Sequence, residues 1–189
     1  TLKGSGDNLS HMNGGITYFD AKVLVEEVDQ IKKIINSIKT NPGDRRMVLT
    51  AFNVGEMDNM SLPPCHMFAQ FYVGNLDNGK PRTLNCQVYI RSNDLFLGLP
   101  FNIASYALLV HMMAQVTGIV PGELIITIGD AHIYKNHVEQ VREQLSRKAF
   151  PLPALVLNKD ITDIDKFTMD DITLVDYQSH AAIKAPMAV

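Results

Sequence analysis

The sequence contains no tryptophan and two cysteines, Cys65 and Cys86. Two thiols cannot build a disulfide framework, and no C-x-x-C pair offers a metal site. Such usage fits a reducing cytosol, so a cytoplasmic protein is expected. A surplus of charge of one sign is missing as well. The balance of 17 basic against 20 acidic residues leaves −3. That excludes a general pull towards DNA or a membrane surface, so any anion must be held by a local group of Arg and Lys. Long apolar runs are also lacking. The longest, around 104–113, is interrupted by Ser105, Tyr106 and His111. It falls short of the about 20 residues that a bilayer-crossing helix requires. No secretory leader pattern is visible.

What is present suits one packed domain: 46% hydrophobic and 20% charged residues over 189 positions. The start, Thr1 to Met12, is polar and glycine-rich and reads as a frayed edge. Between Lys22 and Thr40, apolar residues recur at Leu24, Val28, Ile31, Ile35 and Ile38, the spacing of one helix face. Asn41-Pro42-Gly43-Asp44 stops that helix. A strand-like run, Met47 to Phe52, follows, and then a loop from Gly55 to Pro64.

Cys65 to Val73 alternates, which places His66, Phe68, Gln70 and Tyr72 on one face and Met67, Ala69, Phe71 and Val73 on the other. Asn75 to Arg82 has hairpin-turn composition, and Leu84 to Ser92 is the return strand. A tight connection, Asp94 to Phe101, leads to an apolar helix from about Asn102 to Thr117, with Gly118 as its C-terminal cap. Being apolar nearly all round, this helix is expected at the centre of the fold. Strands are expected at 123–128, 154–158 and 172–177, and a helix at 135–147. Without a regular βαβ alternation, the class is α+β.

Four polar groups could carry chemistry. Pro63-Pro64 stiffens the approach to Cys65, so the thiol is delivered at the mouth of a strand. A thiolate is the reactive form of such a side chain. The alternative is a buried structural cysteine, the role expected of Cys86. Arg45, Arg46 and the Arg91-Ser92 pair suit a phosphate, because each guanidinium offers a planar fork of donors; surface ion pairs with Asp44 and Asp94 are the alternative. In an extended segment Asp130, His132 and Tyr134 share a side and could hold sugar hydroxyls, or Asp130 could cap a helix. Asn102 could cap its helix, or read a heterocycle edge with one donor and one acceptor.

Together these segments follow a familiar order. Asp44-Arg45-Arg46, Leu62-Pro63-Pro64-Cys65-His66, Arg91-Ser92-Asn93-Asp94, Gly98-Leu99-Pro100-Phe101-Asn102-Ile103-Ala104-Ser105-Tyr106 and Gly129-Asp130-Ala131-His132-Ile133-Tyr134 resemble the thymidylate synthase family. The tail Ile183 to Val189 resembles that family's closing C-terminus. The similarity runs from about Val28 to the end. It implies a thymidylate synthase-like catalytic domain at 21–189, preceded by a poorly matched segment at 1–20. It also implies a mixed sheet through which two copies dimerise.

The resemblance further implies roles. Cys65 would add to C6 of the uracil ring of dUMP, and C5 would then attack the methylene of the cosubstrate 5,10-methylenetetrahydrofolate. Arg91 and Ser92 would hold the phosphate, with Arg91 also steadying the thiolate. Arg45 and Arg46 would be lent across a homodimer interface to the partner's phosphate. Asn102 would read uracil O4 and N3, His66 and Gln70 would lie near the pyrimidine, and His132 and Tyr134 would grip the 3'-hydroxyl. Asp94 would bond the pterin, and the tail with Ala188 would close over the folate. Tyr18 is the nearest candidate for a catalytic tyrosine ahead of the first helix. No metal is implied.

The pattern departs in places. No catalytic glutamate and no tryptophan pair can be placed, and Ile90 stands where glutamine is usual. Besides methylation of dUMP, the resemblance therefore leaves a pyrimidine-nucleotide hydroxymethylase, or a dUMP-binding relative without turnover.

Overall fold

A computed structural model describes residues 28–75, 79–80 and 82–187. The expectations for Tyr18, Leu24 and Ala188 lie outside the described residues. The first helix, α1, spans Gln30–Thr40 and is capped by the Asp29 carboxylate, which accepts from the Lys32 amide at 2.9 Å. Its core-facing residues are Ile34 and Ile38, so the apolar stripe is centred a little away from the face read through Val28 and Ile31.

Four strands form the main sheet: β1 (Val48–Thr50), β2 (His66–Gly74), β3 (Thr83–Asp94) and β4 (Val120–His132), in that spatial order. β1 and β3 run antiparallel to β2, whereas β4 is parallel to β3. The parallel pair requires a crossover, supplied by α2 (Gly98–Thr117). A shorter helix, α3 (Val138–Ser146), and a two-stranded ribbon of β5 (Ala154–Leu157) and β6 (Ile172–Val175) complete the described chain. Mixed strand directions and segregated helices make this an α+β fold.

One face of the sheet packs on α1 and α2. Ala69, Phe71 and Val73 of β2 meet Leu84, Cys86, Val88 and Ile90 of β3, all buried, beneath Val110, Met113 and Ala114 of α2. Removing each such side chain from water contributes about 1.5–3 kcal/mol. The other face carries Phe68 and Tyr72, which remain exposed.

Four expectations are corrected. α2 begins at Gly98 rather than Asn102, because Pro100 sits in the first turn, where its missing N–H breaks no helical bond. It is not central either. Val110, Met113, Ala114 and Val116 are buried, but Phe101 is 74% exposed, so α2 lies over one sheet face with its other side uncovered by described residues. By length and composition this helix could cross a bilayer, contrary to the shorter apolar run read from sequence; its buried residues are instead packed on the sheet. Asp130 caps no helix: it lies within β4, and α3 starts only at Val138. Gly118 does terminate α2, at φ 71°.

Candidate active site

The site forms where the C-terminal part of β3, the turn before β2 and the first turns of α2 meet. Pro63-Pro64 enters this corner as irregular chain, and Cys65 follows, half-buried and packed against the core cluster. The turn is clamped from β3. The Arg91 amide donates to Cys65 O at 2.9 Å. The Arg91 guanidinium donates from Nε to Pro64 O at 3.1 Å and from Nη2 to Pro63 O at 2.7 Å. Arg91 thus fixes the backbone on which the thiol stands, and brings a cation to the same corner. The second thiol is different in kind: burial pushes Cys86 up to about 12, so it stays protonated in the core.

His66 departs from the simple alternation. The β2–β3 register shifts between His66 and Phe68, so His66 opposes Ile90 while Phe68 opposes Tyr89. This bulge turns the imidazole away from the Phe68 face and towards α2. There His66 Nδ1 lies 3.1 Å from the Tyr106 hydroxyl and Nε2 lies 3.0 Å from Asn102 Nδ2. Asn93 Nδ2 donates to Asn102 Oδ1 at 3.0 Å, which completes a chain Asn93–Asn102–His66–Tyr106. Burial lowers the His66 pKa from its ordinary value, which favours the neutral ring, and burial raises that of Tyr106.

Next along β3, Ser92 pairs with Asp130 and Asp94 with His132 across the parallel ladder. Asp94 Oδ1 accepts from the Phe96 and Leu97 amides at 2.9 and 3.3 Å, holding the turn into α2. His132 Nδ1 is 3.7 Å from Asp130 Oδ1, and its ring meets Tyr134 edge-on with centroids 5.0 Å apart. The expected shared side of Asp130, His132 and Tyr134 is therefore present in part, through these two contacts. Tyr134 in turn stacks edge-on against His137, whose Nε2 lies 2.7 Å from Pro186 O in the tail.

Not every expected residue joins this corner. Arg45 and Arg46 lie ahead of β1, at the far edge of the sheet; the Arg46 amide donates to Asp44 Oδ1 at 3.0 Å, and its guanidinium comes within 4.0 Å of the same oxygen. Gln70 is exposed on the Phe68 face, where its Nε2 donates to Arg45 O at 3.3 Å. Among the described residues, no hydrogen bond links these three to Cys65, Arg91 or Asn102.

The thymidylate synthase family model matches residues 9–189. The chain belongs to the thymidylate synthase family. The family's chemistry is of the methyltransferase type, serves nucleotide biosynthesis and takes a methylenetetrahydrofolate cosubstrate. The α+β architecture is that of a thymidylate synthase-like fold. Three residues that this family member places at the site were given no role from sequence. Tyr106 stands four positions after Asn102, one helical turn on, so helix periodicity could have found it. Asn93 sits within the Arg91–Asp94 motif. His137 carried no local signal, because its partner is a tail carbonyl far away in sequence.

Proposed function

We propose that the protein is a thymidylate synthase that converts dUMP to dTMP with 5,10-methylenetetrahydrofolate, through a covalent bond from Cys65 to C6 of the base. The observation that supports this best is the clamp of Arg91 on the Pro63-Pro64-Cys65 turn, set beside Asn102.

In this reading the Cys65 thiolate adds to C6, and the electron pair displaced from the C5–C6 bond is held at C5 and O4. C5 then attacks the methylene carbon of the folate cosubstrate as its bond to N10 opens; loss of the C5 proton then expels N5 of tetrahydrofolate and leaves an exocyclic methylene on C5. Hydride from the reduced folate completes the methyl group, which leaves dihydrofolate, and Cys65 is expelled. Arg91 and Ser92 take the phosphate, a task suited to a guanidinium fork beside a hydroxyl. Asn102 reads the pyrimidine edge, His66 supports it, and His132 and Tyr134 take the 3'-hydroxyl. Asp94 has one carboxylate oxygen engaged by the Phe96 and Leu97 amides, and the other can meet the pterin. Arg45 and Arg46 lie away from this corner, so their proposed role requires a second copy of the chain, in a homodimer placed in the cytoplasm; Gln70, bonded to Arg45 O on the exposed sheet face, takes no part in this reading.

A hydroxymethylase is the second reading, to which the lack of tryptophan within these 189 residues lends support. Fewer aromatic walls leave water freer to capture the exocyclic methylene before hydride arrives. Product analysis separates the two. Incubation with dUMP and methylenetetrahydrofolate should give dTMP and dihydrofolate in equal amounts. Formation of 5-hydroxymethyl-dUMP with tetrahydrofolate would replace the synthase reading by the hydroxymethylase one.

A further inference from the structure

Asn93 is 4% exposed and gives its amide nitrogen to Asn102. Its Oδ1 is buried and accepts no hydrogen bond from the described residues. A buried amide oxygen left without a protein partner calls for an explanation beyond core packing. The hydrogen bond from its Nδ2 goes to Asn102, whose amide has the donor and the acceptor needed to read a base edge. The direction of that bond propagates. With Oδ1 turned towards Asn93, Asn102 must present Nδ2 to His66. His66 then accepts at Nε2, carries its proton on Nδ1 and donates to the Tyr106 oxygen. Burial disfavours the imidazolium, which would have no lone pair for Asn102.

An isolated asparagine amide can turn over and exchange its donor with its acceptor. Uracil offers O4 and N3–H, an acceptor beside a donor. Cytosine offers the reverse, an N4 amine beside a bare N3. A freely turning Asn102 would serve both bases. Held at both ends, it keeps one remaining N–H and one remaining lone pair in a fixed order.

We propose that Asn93 is a specificity-determining positioning residue: by donating to Asn102 it fixes the orientation of that amide, so the site takes a uracil nucleotide and refuses a cytosine one. The proposal rests on Asn102 being the base-reading residue.

The test uses the whole protein with Asn93→Ala and the isosteric Asn93→Asp, and reads dUMP and dCMP affinities by calorimetry. The native protein should prefer dUMP. Asn93→Ala should shrink the dUMP-to-dCMP affinity ratio by about five- to tenfold, the scale of one lost neutral hydrogen bond. Asn93→Asp, able only to accept when ionised, should turn the Asn102 amide over and shrink the ratio further. Nitrogen-15 NMR of His66 gives a second readout that a merely structural role would not move. It should show the Nδ1–H tautomer in the native protein and lose it in Asn93→Asp. A native Nε2–H tautomer, or folded variants with the native affinity ratio, would overturn the proposal while leaving dUMP recognition standing. Absence of dUMP binding by the native protein would overturn the functional reading, and this proposal with it.

Discussion

His66 joins β2 to α2, and its environment makes stability depend on pH. Burial depresses the pKa of both His66 and His111 below the ordinary value of about 6.5. Below that pH the unfolded chain binds protons that the folded chain resists, so stability is complete above about pH 6.5 and declines as pH falls from there through the lower folded values. Asp29, Asp44 and Asp171 act in a separate window: their pKa values lie below 3.8, held there by amide and hydroxyl donors, so their contribution is lost only in stronger acid. Urea midpoints at pH 7.5 and 5.5 should therefore fall on acidification, and the fall should shrink in a His66→Gln, His111→Gln variant. An unchanged fall in that variant would refute the assignment. At this scale the sequence was readable where a position follows from local chain chemistry, as with the two prolines that deliver Cys65 to the start of β2. It was silent where a role depends on a partner brought by folding, as for Asn93 and His137.

Among the elements, the contact between β3 and β4 controls where Arg91 sits. Gly129 lies against it. A Cβ there would come 2.8 Å from Arg91 O and 3.0 Å from the Tyr89 hydroxyl. Gly129→Ala should destabilise the fold by about 1–3 kcal/mol, the range for overpacking, and thermal melts will measure it. Because the crowded atom is Arg91 O, turnover should also fall; a variant with native melting and native turnover would show that the two strands have slack. The alternation of β2 and β3 was legible because one face is buried and the other is not. The bulge at His66 was not legible, since an extra residue leaves the local composition unchanged. The start of α2 was misplaced because Pro100 reads as a breaker, although in the first turn it breaks nothing.

Across the whole molecule, the uncovered surfaces suggest association. Phe68 is 42% exposed, Tyr72 60% and Ile125 49%, all on the main sheet. Exposed apolar groups of this size gathered on one face commonly mark an interface. Sedimentation should show a dimer. A mixture of Cys65→Ser with a variant in which Arg45 and Arg46 are both alanine should recover product formation that neither shows alone, because each supplies what the other lacks. No recovery at concentrations where mixed dimers form would remove the arginines from the partner's site.

Covalent chemistry at Cys65 is the claim on which the rest depends, and the other thiol is an internal control. Burial pushes Cys86 up to about 12 and keeps it out of reach. The protein incubated with 5-fluoro-dUMP and methylenetetrahydrofolate, then digested and weighed by mass spectrometry, should yield the Cys65 peptide carrying both nucleotide and folate, with the Cys86 peptide unmodified. A protein that binds dUMP yet leaves Cys65 unmodified would contradict the account.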